Sequence, residues 1–252
     1  LATTLPPTTA LARWSSGGAL PRRRLIVFPH AGAGGLSGRV LQRPGTEVLV
    51  HRRPGRESRA GESTPVSGDS VVAEALALLL PVLDADDVPT VVLGHSFGAL
   101  PAAWFTAAVE RERPARLQRT VLSAKAAPPA PDPELARILD DDAALAAWVG
   151  GLGGTPAELL DDPELRALVL APLRAGLRAS LAHAAPPPPL HTPLLLVHAE
   201  GDPAASAAAV AGWARAADAT VDTLTVPGGH HGLLEHPELL ERALDALPGG
   251  IR

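Results

Sequence analysis

The feature that most constrains this chain is the run Val91-Val92-Leu93-Gly94-His95-Ser96-Phe97-Gly98-Ala99. A short β-branched stretch meets a serine with a glycine two residues to either side, and an alanine-rich, helix-prone segment follows. The pattern predicts strand, tight turn and helix. At such a turn the serine is forced into strained backbone geometry and its hydroxyl stands clear of the sheet edge, a nucleophile elbow. So short a motif also arises by chance, and its meaning depends on the neighbouring segments.

Those segments fit a parallel α/β sheet. Asp69 or Ser70 is placed to cap a helix over Ser70–Leu83, with Val72, Leu76, Leu79, Leu80 and Leu83 on its apolar face. Strand candidates lie before it at Leu25–Phe28 and Glu47–His51, and after it at the elbow strand and Thr120–Ser123. A strand, helix, strand succession with short links is the βαβ unit, which puts Ser96 at the C-terminal end of a strand, where open α/β sheets hold ligands. The helix after Ser96 directs its N-terminal dipole at the serine, and Pro101 near its start is expected to bend it. The loop Pro29-His30-Ala31-Gly32-Ala33-Gly34-Gly35 reads as a cradle of backbone N–H groups for an oxyanion or a phosphate, or as a surface turn. The phosphate reading finds no G-x-G-x-x-G pattern and no Gly-Lys-Ser/Thr. Arg52, Arg53, Arg56 and Arg59, around the Pro54-Gly55 turn, read as a basic rim or, as is commoner for such a run, as a solvated charged loop.

From Pro131 to Pro189 the pattern changes to short helices: Pro133–Leu139, Asp142–Val149, Thr155–Leu160, and Pro163–His183 interrupted by Pro172. Leu170, Leu173, Leu177 and Leu181 make one inward stripe, with Arg166, Arg174 and Arg178 off it. The block is expected either to cover the strand ends as a lid or simply to pack as helix. Pro186–Pro189 returns the chain to the sheet. The domain division is therefore 1–130 and 190–252 for the core and 131–189 for a helical insertion. A strand over Pro193–Val197 ends near Asp202; a helix over Ala204–Ala216 and a strand over Thr220–Val226 lead to Pro227-Gly228-Gly229-His230-His231-Gly232. The chain order Ser96, Asp202, His230 is that of α/β-hydrolases and differs from the chymotrypsin-like and subtilisin-like orders.

Composition narrows the alternatives. A net charge of −5 at pH 7 argues against nucleic-acid binding, which needs clustered positive charge. With no cysteine the chain forms no disulfide and no thiolate site. No apolar run is long enough to span a bilayer, and the first twenty residues do not read as a secretory signal. A zinc site from His230, His231 and His236 fits no H-E-x-x-H spacing.

Serine is a weak nucleophile until an imidazole takes its proton, and an aspartate must hold that imidazole in the right tautomer. Asp218 and Asp222 compete for that last role but precede or interrupt a strand; His231 competes with His230, while His95 is expected to pack beside the elbow. Backbone N–H groups of Phe97 and Ala31 are the expected oxyanion donors, each worth about 3–4 kcal/mol.

The segments FPHAGAGG (28–35), PGRE (54–57) with Arg59, GHSFGAL (94–100), LGGTPAELLDDPEL (152–165), LAPLRAGL (170–177), PLLLVHAEGDP (193–203) and PGGHHGL (227–233) together resemble the type II thioesterases of polyketide and non-ribosomal peptide synthetase systems. The resemblance implies the α/β-hydrolase fold, with Ser96, Asp202 and His230 as triad and Ala31 and Phe97 as oxyanion donors. It implies hydrolysis of acyl groups from the phosphopantetheine of acyl or peptidyl carrier proteins, without cofactor or metal, by a cytoplasmic monomer. A general carboxylesterase and a non-catalytic carrier-binding relative are the competing readings; in the partner readings Arg52, Arg53 and Arg56 meet an acidic carrier. The chain departs from the family at Gly176, usually Asp, at Ala124-Lys125, usually Gly-Arg, and at His231, usually Phe.

Overall fold

Runs of leucine and β-branched residues without polar alternation are suited to strands covered on both faces. In the computed structural model, which describes residues 10–15, 20–62, 68–129, 132–182 and 185–246, three such runs are buried at every position: β2 (Arg23–Phe28), β3 (Thr46–His51) and β4 (Thr90–His95). With β1 (Leu11–Trp14), β5 (Leu117–Ser123), β6 (Leu194–Ala199) and β7 (Val221–Val226) they form a seven-stranded sheet in the order β1-β3-β2-β4-β5-β6-β7. Every pairing is parallel except that of β1 with β3.

Alternate residues serve opposite layers. Ile26, Phe28, Leu49 and Val92 point into a core shared with α1 (Gly68–Ala85) and α2 (Ala99–Glu112), while Leu25, Val27, Val50, Val91 and Leu93 belong to a second core. That second core is closed by Leu233 and by Leu240 and Leu244 near the end of the chain. α1 extends past the expected Ser70–Leu83 at both ends. Pro101 falls in the first turn of α2, where proline is tolerated.

Between β5 and β6 the described residues contain four helices, α3 (Pro133–Ile138), α4 (Asp142–Leu152), α5 (Ala157–Asp161) and α6 (Pro163–Ala182), and no strand paired into the sheet. Aspartates set their starts: Asp132 accepts from Leu135 N, Asp141 from Ala143 N and Ala144 N, and Asp162 from Glu164 N and Leu165 N. Leu170, Leu173 and Leu177 are buried and Leu181 packs beside them, as the stripe predicts. Their core also takes in Ala31 and Phe97, so the helical block sits on the loops that follow β2 and β4. The expected limits Pro131 and His183 lie outside the described residues, as does most of the stretch before Leu20.

One expectation is corrected. The helix over Ala204–Ala216 is a capped turn of α-helix, α7 (Ala207–Ala211), continued as a 3-10 turn over Gly212–Ala216. The edge strand β1 and the closing helices α8 (Gly232–Glu235) and α9 (Pro237–Ala246) add to the elements that the sequence pattern marks.

The topology fixes the site. From β2 the chain moves to β3 on one side and then to β4 on the other, so the loops leaving β2 and β4 part at the switch point of the sheet. A crevice opens there between adjacent strand ends.

Candidate active site

Ser96 follows β4 with φ 53, in the left-handed region where a side chain costs about 1–2 kcal/mol. The flanking glycines are required by close approach. A Cβ on Gly94 would stand 2.4 Å from the Gly98 carbonyl oxygen, and one on Gly98 would stand 1.9 Å from the Phe28 carbonyl oxygen. The elbow is thus pressed against the end of β2.

His230 enters from the loop after β7. Gly228, at φ 90, and Gly232, whose Cβ would stand 2.3 Å from the Pro227 carbonyl oxygen, let that loop fold tightly. The His230 Nε2 lies 2.8 Å from Ser96 Oγ, and its Nδ1 lies 3.0 Å from each carboxylate oxygen of Asp202. The Asp202 side chain is fully buried, and its Oδ1 also accepts from Ala204 N at 2.8 Å. Gly201 N donates to the Gly228 carbonyl at 2.9 Å, tying the two loops together. A carboxylate only accepts, so the imidazole donates from Nδ1 and presents the Nε2 lone pair to the serine hydroxyl. This arrangement can move the serine proton to Nε2 with the aspartate holding the ring.

The competitors are elsewhere. Asp222 pairs with Arg119 at 2.8 Å, Asp218 faces His191 at 3.9 Å, and His236 lies 3.6 Å from Glu238. Among the described residues no group of three or more His, Cys, Asp or Glu is arranged to hold a metal ion.

His95 packs beneath the elbow as expected, its Nδ1 3.2 Å from Ser123 Oγ. Sequence reasoning missed how many imidazoles meet here. The rings of His30 and His231 are 4.8 Å apart, and His95 lies 5.5 Å from His230 and 5.6 Å from His231. The available signal was that each of these histidines ends or follows a strand. Burial, then the neighbouring His231, Arg53, His230 and Arg56, pushes His30 down to about 3. Burial and the surrounding imidazoles hold His95 well below its usual value. His231 is lowered by burial and His230, against an upward pull from Glu235, Asp202 and a hydrogen bond to the Gly153 backbone. That bond links the helical block to the His230 loop.

The basic rim is corrected. Arg53, Arg56 and Arg59 are 3%, 4% and 6% exposed. Arg53 Nη2 donates to the carbonyls of His30 at 2.8 Å and Ala31 at 2.7 Å, and its guanidinium lies 4.3 Å over the Phe97 ring. Arg56 Nη2 donates to Ala31 O at 2.7 Å and to Pro172 O of α6. Arg59 is engaged by Glu62 and Glu74. Arg52 pairs with Glu57 at 2.7 Å. The glycine-rich loop turns carbonyls inward, and these buried carbonyls draw the arginines in.

Ser96, His30 and His230 line a cavity of about 490 Å3, with Trp148, Leu152, Leu159, Val169, Leu173 and Leu177 as apolar wall. The helical block supplies that wall. No helix among the described residues is long and apolar enough to cross a membrane.

The fold is shared with YbtT, a type II thioesterase from the yersiniabactin NRPS/PKS pathway: TM-score 0.82, 23% identity, over 95% of this chain and 98% of that one. RedJ, a thioesterase from the prodiginine pathway in Streptomyces coelicolor, superposes with TM-score 0.78 at 25% identity over 88% and 89% of the two chains. In sequence, the chain is 31% identical to the probable cadicidin biosynthesis thioesterase of Streptomyces griseus, covering 84% of this chain and 59% of that protein. It is 35% identical to the AMB antimetabolite synthetase AmbE of Pseudomonas aeruginosa, where 98% of this chain corresponds to 12% of the relative. These two relatives are thus both longer than the stretch that the chain spans. The model of the Thioesterase domain matches residues 23–247, and the chain belongs to that family.

Proposed function

We propose that this protein hydrolyses acyl thioesters carried on the phosphopantetheine of acyl or peptidyl carrier proteins, with Ser96 as nucleophile. The observation that carries the reading is the continuous Ser96, His230, Asp202 hydrogen-bond chain at the floor of an apolar cavity. The names of the relatives, which place them in polyketide and non-ribosomal peptide biosynthesis, support the substrate class.

In this mechanism His230 Nε2 takes the Ser96 proton as Oγ attacks the thioester carbon. The carbonyl oxygen becomes an oxyanion facing the Ala31 and Phe97 N–H groups. Collapse breaks the carbon–sulfur bond, and the proton on Nε2 goes to the leaving thiolate. Water then attacks the acyl-serine, with His230 again as base, and releases the acid. Asp202 holds the tautomer throughout. The block 131–189 acts as the lid, whose apolar wall receives the acyl group. No cofactor takes part.

A Ser96→Ala variant tests the reading. It is expected to lose release of acetyl or propionyl from an acylated carrier protein; retained release refutes the role of Ser96. Oxygen esters turned over as fast as thioesters, with no gain from the carrier, favour a general esterase. A second reading, release of a completed product, draws on the match of nearly the whole chain to part of a synthetase. Faster hydrolysis of long peptidyl carriers than of short acyl carriers would favour it over removal of mis-primed chains.

A further inference from the structure

Two buried guanidinium groups, those of Arg53 and Arg56, converge on the glycine-rich loop, and among the described residues no carboxylate pairs with either. The Nε of each is buried without a partner. Burial and the neighbouring Arg56 push Arg53 down to about 9. A buried cation without a counter-charge is costly, and removing that cost is within reach of a single substitution, since a neutral side chain would do.

What Arg53 touches explains its place. Among the described residues only Pro128–Pro129 is a cis peptide, so the His30–Ala31 peptide is trans and its C=O and N–H point in opposite directions. Arg53 Nη2 grips the carbonyl side of that unit at 2.8 Å, leaving the Ala31 N–H directed the other way. The same guanidinium lies 4.3 Å over the ring of Phe97, the residue directly after Ser96. One side chain therefore holds both residues whose N–H groups face the developing oxyanion in the mechanism above. Arg56 ties the next carbonyl, that of Ala31, to α6.

We propose that Arg53 is a positioning residue for the oxyanion-binding pair: it fixes the His30–Ala31 peptide by its carbonyl and Phe97 by its ring face. Its positive charge, which pairs with no carboxylate among the described residues, also polarises the His30–Ala31 peptide in the sense that strengthens the Ala31 N–H as donor. The inference rests on the assignment of Ala31 and Phe97 as donors. It concerns the transition state and not substrate affinity, so its signature is a fall in kcat without a rise in KM.

The test uses the full chain with Arg53→Met and Arg53→Lys. Readouts are thioester hydrolysis, binding of a trifluoromethyl ketone analogue that adds to Ser96 as an oxyanion, and binding of a non-reactive thioether analogue. Arg53→Met is expected to lower kcat about 10- to 100-fold with KM within twofold. The ketone should weaken by a similar factor, while the thioether binds as before. Arg53→Lys, which keeps the charge but loses the flat fork, is expected to recover part of the loss. Unchanged kcat in Arg53→Met, or equal weakening of ketone and thioether, overturns the inference. Should Arg53→Met not fold, Arg53→Lys decides alone: wild-type kcat and ketone affinity overturn it, and a selective loss of both supports it. Fluorophosphonate labelling of Ser96 in the wild type separates the two levels. Without labelling the mechanism itself fails and the inference with it; with labelling, the Arg53 variants judge the inference alone.

Discussion

Gly176 of α6 rests against Ala31: a Cβ built on the glycine would stand 3.1 Å from the Ala31 Cβ and 3.2 Å from the Ala31 carbonyl oxygen. That carbonyl is already held by Arg53 and Arg56, so the loop cannot yield freely. Gly176→Ala gains about 1 kcal/mol of helix propensity, which crowding of the loop offsets. Its melting temperature is expected within a few degrees of wild type, with reduced kcat. Gly176→Asp, the residue the family resemblance leads one to expect, sets a carboxylate beside a carbonyl and should cost about 2 kcal/mol or more in denaturant unfolding. Wild-type stability and kcat in Gly176→Asp would show that α6 moves aside easily.

Asp202 and Asp222 separate catalysis from stability. In Asp202→Asn the amide N–H faces Nδ1, so the ring must carry its proton on Nε2 and loses its lone pair toward Ser96. A fall of about 10⁴-fold in kcat is expected with little change in fold. Asp222→Asn leaves the buried Arg119 without its carboxylate. That variant should lose about 1–3 kcal/mol of stability, reduced by the partial exposure of Asp222, and keep its kcat. Thermal melts and initial rates on both variants check the pair; a catalytic defect in Asp222→Asn alone would reverse the assignment.

The elbow and the order of Ser96, Asp202 and His230 were legible because both are local: glycines at fixed offsets and turns directly after buried runs. The same holds for α6, whose stripe at Leu170, Leu173 and Leu177 follows helical period. Arg53 and Arg56 were misread as solvated because what buries them is distant, carbonyls at His30, Ala31 and Pro172. β1 was invisible for a related reason. Its four residues show little pattern, and their stability as a strand comes from pairing with β3 far along the chain. The Ala124-Lys125 departure acquires a meaning only in three dimensions: Ala124 has φ 54, a backbone that glycine adopts without strain.

A surface turn offers a stabilising change that leaves the site alone. Arg116 N donates to Arg113 O at 3.2 Å around Pro114 and Ala115, and Ala115 has φ 60 and is exposed. Proline followed by a residue at positive φ is the type II pattern, in which glycine is favoured at the third position. Relief of the left-handed strain, about 1–2 kcal/mol, exceeds the entropy that glycine adds to the unfolded chain. Ala115→Gly is expected to gain about 0.5–1 kcal/mol in denaturant unfolding at unchanged kcat. A loss of stability would mean that the turn is not strained.

The imidazoles around Ser96 set the acid side of the stability profile. His30, at about 3, and His95 and His231, all lowered chiefly by burial, resist protonation in the fold and take up protons more readily when unfolded. For such groups the unfolded chain binds more protons below about pH 6.5, so stability falls as pH drops through that value and levels off only at the folded pKa. Glu74, held down to about 2 with His51 and Arg59 bonded to it, acts in the same direction at lower pH: its contribution is present above the usual carboxylate range and is lost toward pH 2. At pH 5 His30 alone accounts for at most about 2 kcal/mol, less whatever water in the cavity screens. With its neighbours added, the melting temperature should fall by at least about 5 °C between pH 7.5 and pH 5. His231→Phe removes one of the resisting rings, along with its bond to Gly153. The variant is expected to melt lower at pH 7.5 but to lose less on acidification. Equal acid-side slopes for the two proteins would mean that His231 takes up its proton as readily in the fold as in the unfolded chain.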